Sequence, residues 1–447
     1  NHIGDWGTQF GKLIHAYKNW GVHEVIEKDP INELLKLYVR FHDEAENDTS
    51  LEDSARGEFK KLEDGDEQNI KLWEWFRKIS LEEIQKTYDL LGGIHFDHTQ
   101  GEAFYNDKMD PILEDGKKKK VFVEGDEGAL VVKFENEKYP PYLVLKSDGA
   151  TLYSTRDLAA VKYRQDTWDP EKIIYIVDVA QSLHFQQLFE TMDLLGTRTS
   201  ELVHVVFGRM QFIDKKMSTR KGNIILLDEV LGEAKKRAGK IVEEKNSGLG
   251  EDEKEKAAHE IGIGGVKYSI LSQNRNTNIT FDWDKILSLD GNSAPYLQYS
   301  YARAKSILRK ASEPEVSDAA PASVAKAEPK ASQVTLFEAI DNAGDENESE
   351  GSGVREESLD AEEKEIAVMR DLAKFSEHIA LAAADYRPNI LANYLYGLAQ
   401  KFNNFYNSVH VLQSGEKKEF RLKLVEAVAQ VLQNGLGLLG INVLEKM

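Results

Sequence analysis

Apolar residues recur at helical spacing early in the chain, where Leu34, Leu35, Tyr38 and Phe41 share one face. The opening residues read as a strand end and a loop entering a helix, and a helical insertion follows to about Leu91. Its Trp73-Glu-Trp75-Phe76 cluster suits either a base-stacking platform or, more commonly for such rings, the insertion's own small core. Between 95 and 148 the texture changes to short runs punctuated by turn residues: VFV from 121, ALVVKF from 129 and YLVL from 142. These predict an antiparallel β insertion. A helix capped by Thr155 then runs through Ala160 and Val161. The apolar run 173–177 predicts a buried strand, and 202–207 predicts another. Beyond residue 248 the pattern is helical again, with a helix bearing Tyr296, Gln298, Tyr299 and Arg303. The last part repeats the helical period in Ile366, Met369, Leu372, Phe375 and Ile379, then Leu391, Tyr394, Leu395, Leu398, Phe402 and Phe405, then Val425, Val428, Val431 and Leu432.

One stretch breaks this order. From 311 to about 360 the composition shifts to Ala, Pro, Glu, Ser and Gly, too polar to bury a core, and a solvated insertion is expected there. The whole chain has 447 residues and 41% hydrophobic content, enough for two or three domains. A net charge of −20 argues against a nucleic-acid partner on average, yet the charge is segregated. Acid gathers at 43–67, 243–260 and 345–365, and cations at 117–120, 215–221, 235–240 and 303–310. There is no cysteine, which excludes disulfides and thiolate metal sites. With no signal peptide and no long apolar run, this points to a cytoplasmic protein that does not engage a membrane. His95 and His98 lack the carboxylates or thiolates that would complete a metal site, so no metal is expected.

Candidate chemistry concentrates in four places. The segment MQFIDKKMSTRKGN at 210–223 sets Lys215, Lys216, Arg220 and Lys221 around a glycine-ended turn, where pyrophosphate charge could be neutralised; a solvated basic loop is the plain alternative. Tyr153 and Asp157 lie four apart, and if a helix begins between them they converge on one ligand. A carboxylate with a flat neighbour suits a guanidinium, although Asp157 could equally serve the helix dipole and Tyr153 a strand core. Gln181 and His184 follow the carboxyl end of strand 173–177, where ligands of open α/β sheets gather, although a helix-capping or packing role suits His184 nearly as well. Tyr296, Gln298, Tyr299 and Arg303 could stack on and bond unpaired bases, or pack as helix core.

Five stretches together resemble the arginyl-tRNA synthetases, a class I aminoacyl-tRNA synthetase family: NHIGDWGTQFGKLI at 1–14, LYSTRDLAA at 152–160, AQSLHFQQ at 180–187, MSTRKGN at 217–223 and GNSAPYLQYSYAR at 291–303. Their order also matches. The resemblance implies an α/β, Rossmann-type catalytic domain with insertions, followed by an all-α anticodon-binding bundle. The boundaries it suggests are a Rossmann part at 1–25, helical then β-rich insertions at 26–150, the second Rossmann half at 151–232, a helical connection at 233–290, and the bundle at 291–447. The family's His-x-Gly-His signature lies on a first strand upstream of the segment with which this chain starts, and His2-Ile3-Gly4-Asp5 is not that element. A protein lacking its N-terminal portion, and on its own catalytically incomplete, is therefore expected, with Met447 its natural end.

By the same resemblance Tyr153, Asp157 and Gln181 bind arginine. His184, Lys215, Lys216 and Ser218 bind ATP, and Lys216, Met217, Ser218, Arg220 and Lys221 form the catalytic loop. Tyr296, Gln298, Tyr299 and Arg303 bind tRNA. Thr219 departs from the lysine that class I enzymes commonly place there, which weakens Lys216 as chief phosphate contact more than it weakens the loop. The implied activity is ATP-dependent attachment of L-arginine to its tRNA through an arginyl-adenylate, with Mg²⁺ accompanying ATP, in a monomer. Two other readings are a non-catalytic, synthetase-derived tRNA-binding or scaffold protein, and another adenylyl-transferring Rossmann enzyme acting on a metabolite. The helices after Gly291 weigh against the latter.

Overall fold

The structure, a computed structural model, describes residues 1–212, 226–245, 248–313 and 361–447. They form two compact units. One is built on Asn1–Arg209, and the other on residues from Leu226 to Met447 with the short strand Met210–Phe212.

The first unit opens with strand β1 (His2–Ile3) and helices α1 (Thr8–Trp20), α2 (His23–Lys28), α3 (Pro30–Asn47), α4 (Ser50–Glu63) and α5 (Glu67–Leu90). Ile14, Phe41 and Phe76 are fully buried at their centre, with Trp73 and Trp75 packed against them, so the aromatic cluster is core. The buried stripe of α3 is Leu34, Leu37 and Phe41, whereas Leu35 and Tyr38 flank it half-buried. Gly11 lets α1 and α4 touch, since a Cβ there would meet the Ala55 carbonyl at 2.2 Å. Glu58 ties three helices together. Burial works against its charge, but hydrogen bonds from Lys18, Lys61 and Asn69 prevail and hold its carboxyl at about 2.

Strand β2 (Gln100–Gly101) pairs in parallel with β1. Helix α6 (Met109–Lys118) follows, in a stretch whose sequence suggested only strands. Its Pro, Gly and five charged residues hid a helix whose apolar side is Met109, Ile112 and Leu113. The expected antiparallel insertion is present as β3 (Phe122–Glu124), β4 (Leu130–Val132) and β5 (Tyr142–Leu145).

Helix α7 spans Tyr153–Trp168, so it starts before Thr155 and includes both Tyr153 and Asp157. Thr155 caps from the third helical position: its hydroxyl accepts from the Leu152 N–H at 3.2 Å and donates to the Val144 carbonyl of β5. Strand β6 (Lys172–Asp178), helix α8 (Ser182–Leu194) and strand β7 (Glu201–Phe207) complete a parallel pair. The run 173–177 is less buried than its composition suggests. Ile173, Tyr175 and Val177 pack on the core, whereas Ile174 and Ile176 are exposed, because β6 pairs on one side only among the described residues.

In the second unit β8 (Met210–Phe212) pairs in parallel with β9 (Ile279–Phe281), a strand too short to read from sequence. The rest is helical: α9 (Leu227–Lys245), α10 (Glu251–Leu271), α11 (Trp283–Ile286), α12 (Ala294–Ser312), α13 (Ala361–Leu372), α14 (Phe375–Ala384), α15 (Pro388–Ser408) and α16 (Lys418–Leu438). Leu297, Tyr301, Leu395, Leu398, Phe402, Val425, Val428 and Leu432 share one core. Of the expected run, Leu372, Phe375 and Ile379 pack on that core, but on the first turns of α13 Ile366 and Met369 are exposed and Val368 is buried. Two buried carboxylates set its phase instead: Glu365 accepts from Arg421 at 2.7 Å and Asp371 from Lys401 at 2.6 Å. The expected insertion at 311–360 lies, from 314 onward, outside the described residues. Among those described, no helix is long and apolar enough to cross a membrane.

Candidate active site

A cleft of about 940 Å³ opens in the first unit between β1, the start of α7 and the exposed face of β6. Tyr153, Asp157 and Gln181 all line it. Tyr153 and Asp157 reach it from successive turns of α7, since residues four apart share a helix face. Gln181 arrives from the turn after β6, at the carboxyl end of the strand. Tyr153 is 59% exposed, so its ring is cleft wall and not strand core. A carboxylate and a phenol therefore face one space, as recognition of a planar cation requires.

His184, expected either on the nucleotide side or in a packing role, is packed behind the cleft wall. It does not line the cleft. Its Nε2 bonds the Asp157 carboxylate at 2.8 Å and its Nδ1 meets the Tyr142 hydroxyl at 3.1 Å, so both nitrogens are engaged behind Asp157. The side chains of His184 and Asp157 are 9% and 21% exposed, and the Tyr153 ring lies edge-on to the imidazole at 4.9 Å.

The NHIGDWG segment lines the cleft through Asn1, His2, Trp6 and Gly7, and is anchored by Asp5, which is buried and does not line it. Asp5 accepts from Arg77 at 2.8 Å and from the Ala103 N–H at 3.0 Å, while its carbonyl accepts from Trp73 at 2.6 Å. Gly101 permits this clamp, because a Cβ there would sit 2.1 Å from the Asp5 carboxylate. Glu102, Arg156 and Arg164 also line the cleft and were not anticipated. Burial raises the Glu102 carboxyl above the ordinary range, against the pull of Arg156. Arg164 bonds the Tyr175 hydroxyl at 3.2 Å and His2 at 3.3 Å. The only sequence signal for Arg164 was its position seven residues after Asp157, on the same helix face.

Comparison with known proteins gives these features a setting. Residues 1–283 match the family described as tRNA synthetases class I (R), catalytic domain, and 338–447 match the DALR anticodon binding domain. The chain is 45% identical over 450 residues to the arginine–tRNA ligase of Clostridium perfringens, covering 100% of this chain and 73% of that protein. Identity and coverage are the same for the arginine–tRNA ligase of Clostridium beijerinckii. The chain belongs to the class I arginyl-tRNA synthetase family. Its fold matches that of Thermus thermophilus arginyl-tRNA synthetase with a TM-score of 0.77 at 26% identity, covering 100% of this chain and 75% of the other. Arginyl-tRNA synthetase from Plasmodium falciparum has the same fold, at a TM-score of 0.74, 23% identity and 69% of its own length covered.

The arginyl-tRNA synthetase signature loop, with Lys215, Lys216, Met217, Ser218, Arg220 and Lys221, lies outside the described residues. Among those described, no group of His, Cys, Asp or Glu could hold a metal ion, and His98 stacks on Trp168 at 4.8 Å.

The second unit has a pocket of its own, about 710 Å³, lined by Tyr296, Tyr299, Arg303, Asn403, Tyr406 and His410 among others. The Arg303 guanidinium lies between two rings, 4.8 Å from the centroids of both Tyr299 and Tyr406. Asn403 fixes the floor, accepting from Arg303 at 2.7 Å and donating to the Tyr296 hydroxyl and to Ser300, each at 2.9 Å. Gln298, expected with Tyr296, Tyr299 and Arg303 at the tRNA, does not line this pocket. It is 0% exposed, and its amide donates to the carbonyls of Glu260 at 3.1 Å and Asn442 at 2.8 Å. It joins α10 to the chain's last residues.

Proposed function

We propose that this chain binds L-arginine through Asp157, Tyr153 and Gln181, and joins it to its tRNA in two steps. The arginine carboxylate attacks the α-phosphate of ATP, forming arginyl-adenylate and releasing pyrophosphate. The 2′-hydroxyl of the terminal adenosine then takes the arginyl group and releases AMP. Neither step requires a covalent enzyme intermediate, so the protein's contribution is positioning and neutralisation of charge. The observation that carries the reading is Asp157, a carboxylate held from behind and facing a cleft with an exposed phenol beside it. In that setting an uncharged amino acid would leave the carboxylate unpaired, and discrimination follows.

Lys215, Lys216, Arg220 and Lys221, with Ser218, are assigned to the phosphates on the family signature. Mg²⁺ bound with ATP would share the neutralisation of phosphate charge. In the second unit Tyr296, Tyr299 and Arg303 are assigned to an unpaired tRNA base. A guanidinium flanked by two rings supplies both stacking and hydrogen-bond donors, which supports that assignment. A cytoplasmic, monomeric enzyme belongs to the same proposal.

The test is arginine-dependent exchange of pyrophosphate into ATP in the presence of arginine-accepting tRNA. Exchange that requires arginine is the expected result. Retained tRNA binding with no adenylate at any arginine concentration would replace this reading with that of a non-catalytic tRNA-binding relative.

A further inference from the structure

We propose that His184 and Tyr142 are positioning residues that set the orientation of Asp157, and through it the selectivity of the amino-acid site for a guanidinium. The inference rests on the reading of Asp157 as the acceptor for arginine.

The three side chains come from three separate elements. Tyr142 begins β5 of the antiparallel insertion, Asp157 lies on the first turns of α7 and His184 on the first turn of α8. Tyr142 and His184 are both buried, and neither lines the cleft, so they act from behind the wall that Asp157 presents.

The hydrogen-bond pattern assigns the proton positions. Burial pushes the Tyr142 hydroxyl well above its ordinary value, so it stays protonated and can donate to His184 Nδ1. A neutral imidazole has one donor and one acceptor. With Nδ1 accepting, Nε2 carries the hydrogen and donates it to Asp157 Oδ2. The opposite tautomer would set a bare imidazole nitrogen against a carboxylate oxygen at 2.8 Å, with no hydrogen between them. The acceptor-only carboxylate therefore fixes the tautomer, and the Tyr142 hydroxyl, able to donate, satisfies the nitrogen left bare and holds the ring that orients the carboxylate.

Two consequences follow for the ligand. Oδ2 is tied back, while Oδ1 has no hydrogen-bond partner among the described residues, so the acceptor fork is presented in one orientation. A neutral imidazole donates to Asp157 without adding charge beside it. A lysine or arginine at position 184 would neutralise it. The edge-on Tyr153 ring at 4.9 Å packs the other side of the imidazole and limits its rotation.

The experiment is equilibrium binding of L-arginine, of its uncharged isostere citrulline and of ATP to the parent chain and to Asp157→Asn, Tyr142→Phe, His184→Ala and His184→Gln, with thermal unfolding of each. Tyr142→Phe and His184→Ala should weaken arginine binding about tenfold and narrow the arginine-over-citrulline ratio, with ATP binding unchanged, since each removes one hydrogen bond to or through a charged group. His184→Gln keeps an amide donor for Asp157 and should recover most of the arginine affinity. A merely structural role would show as equal losses for arginine and ATP, tracking the unfolding midpoint, with no recovery in the glutamine variant, and would overturn the proposal. Unchanged arginine binding in His184→Ala, with a large loss in Asp157→Asn, would overturn the positioning role while leaving Asp157 as the acceptor. No loss in Asp157→Asn would remove the reading on which both rest.

Discussion

Helices α7 and α12 each carry a tyrosine and a charged residue four apart, Tyr153 with Asp157 and Tyr299 with Arg303, yet the two pairs stand in opposite relations to solvent. Tyr153 is exposed and Asp157 faces an open cleft, whereas Tyr299 and Arg303 are 4% exposed each. Spacing decides which residues share a face; packing partners decide whether that face is available. The start of α7 lies beside a strand whose outer face is open, whereas α12 is packed by α10, α15 and α16. The charged group of α7 is consequently held by one hydrogen bond from behind, and that of α12 is enclosed by rings and an amide. Under the assignments proposed above, a ligand at α7 needs only to enter the cleft. At α12 it must present a flat group that can enter a pocket already furnished with its own stacking partners.

The largest effect expected to separate the two regions is Asp157→Asn. It keeps the shape and removes the charge, and should weaken arginine binding by about a hundredfold or more while ATP and tRNA binding hold, because a guanidinium loses its counter-charge in a partly desolvated site. Titration with each ligand in turn would show it, and equal losses for arginine and ATP would break the distinction. Next in size is Arg303→Lys. A lysine keeps the charge but cannot lie flat between Tyr299 and Tyr406, so affinity for arginine-accepting tRNA should fall about tenfold and arginine binding should not move.

How much of this was legible in the sequence differs between the regions for a physical reason. The α7 cleft residues were found because Tyr153 and Asp157 stand four apart at a helix start, Gln181 follows a strand's carboxyl end, and the family resemblance joined the three. Their supporting layer was not. Tyr142 comes from an insertion, and no local pattern links it to His184, 42 residues later. The sequence left His184 between the nucleotide side and a packing role, and could not show that its nitrogens meet Asp157 and Tyr142. On α12 the residues were found but their roles were mixed. Gln298, one position before Tyr299, does not line the pocket, and only the carbonyls of Glu260 and Asn442 reveal that it is a fastening. The same limit explains α13, where Ile366 and Met369 had the right period and Glu365 and Asp371 took the buried phase through partners on α16 and α15.

Gln298→Ala sharpens that division within one helix. It should lower the stability of the second unit by about 1–3 kcal/mol, since two buried carbonyls lose their donor, and leave tRNA affinity of the folded protein unchanged. Denaturant unfolding paired with tRNA titration would separate the two effects. A loss of tRNA affinity as large as that of Arg303→Lys would mean that Gln298 acts on the pocket after all.

The smallest effect is expected for Tyr153→Phe, and it tests what exposure on α7 is for. The ring, and not the hydroxyl, makes the described contact, lying edge-on to the His184 imidazole at 4.9 Å. A guanidinium bound to Asp157 would also meet the ring as a flat, apolar neighbour. Tyr153→Phe preserves both contacts and should change arginine binding by less than about threefold, whereas Tyr153→Ala, which removes both, should cost about tenfold. Should Tyr153→Phe alone cost tenfold, the hydroxyl would be a direct ligand contact. The exposed tyrosine of α7 would then bind as the buried Arg303 of α12 is proposed to do, through a polar group as well as a ring, and the contrast between the two helices would reduce to burial alone.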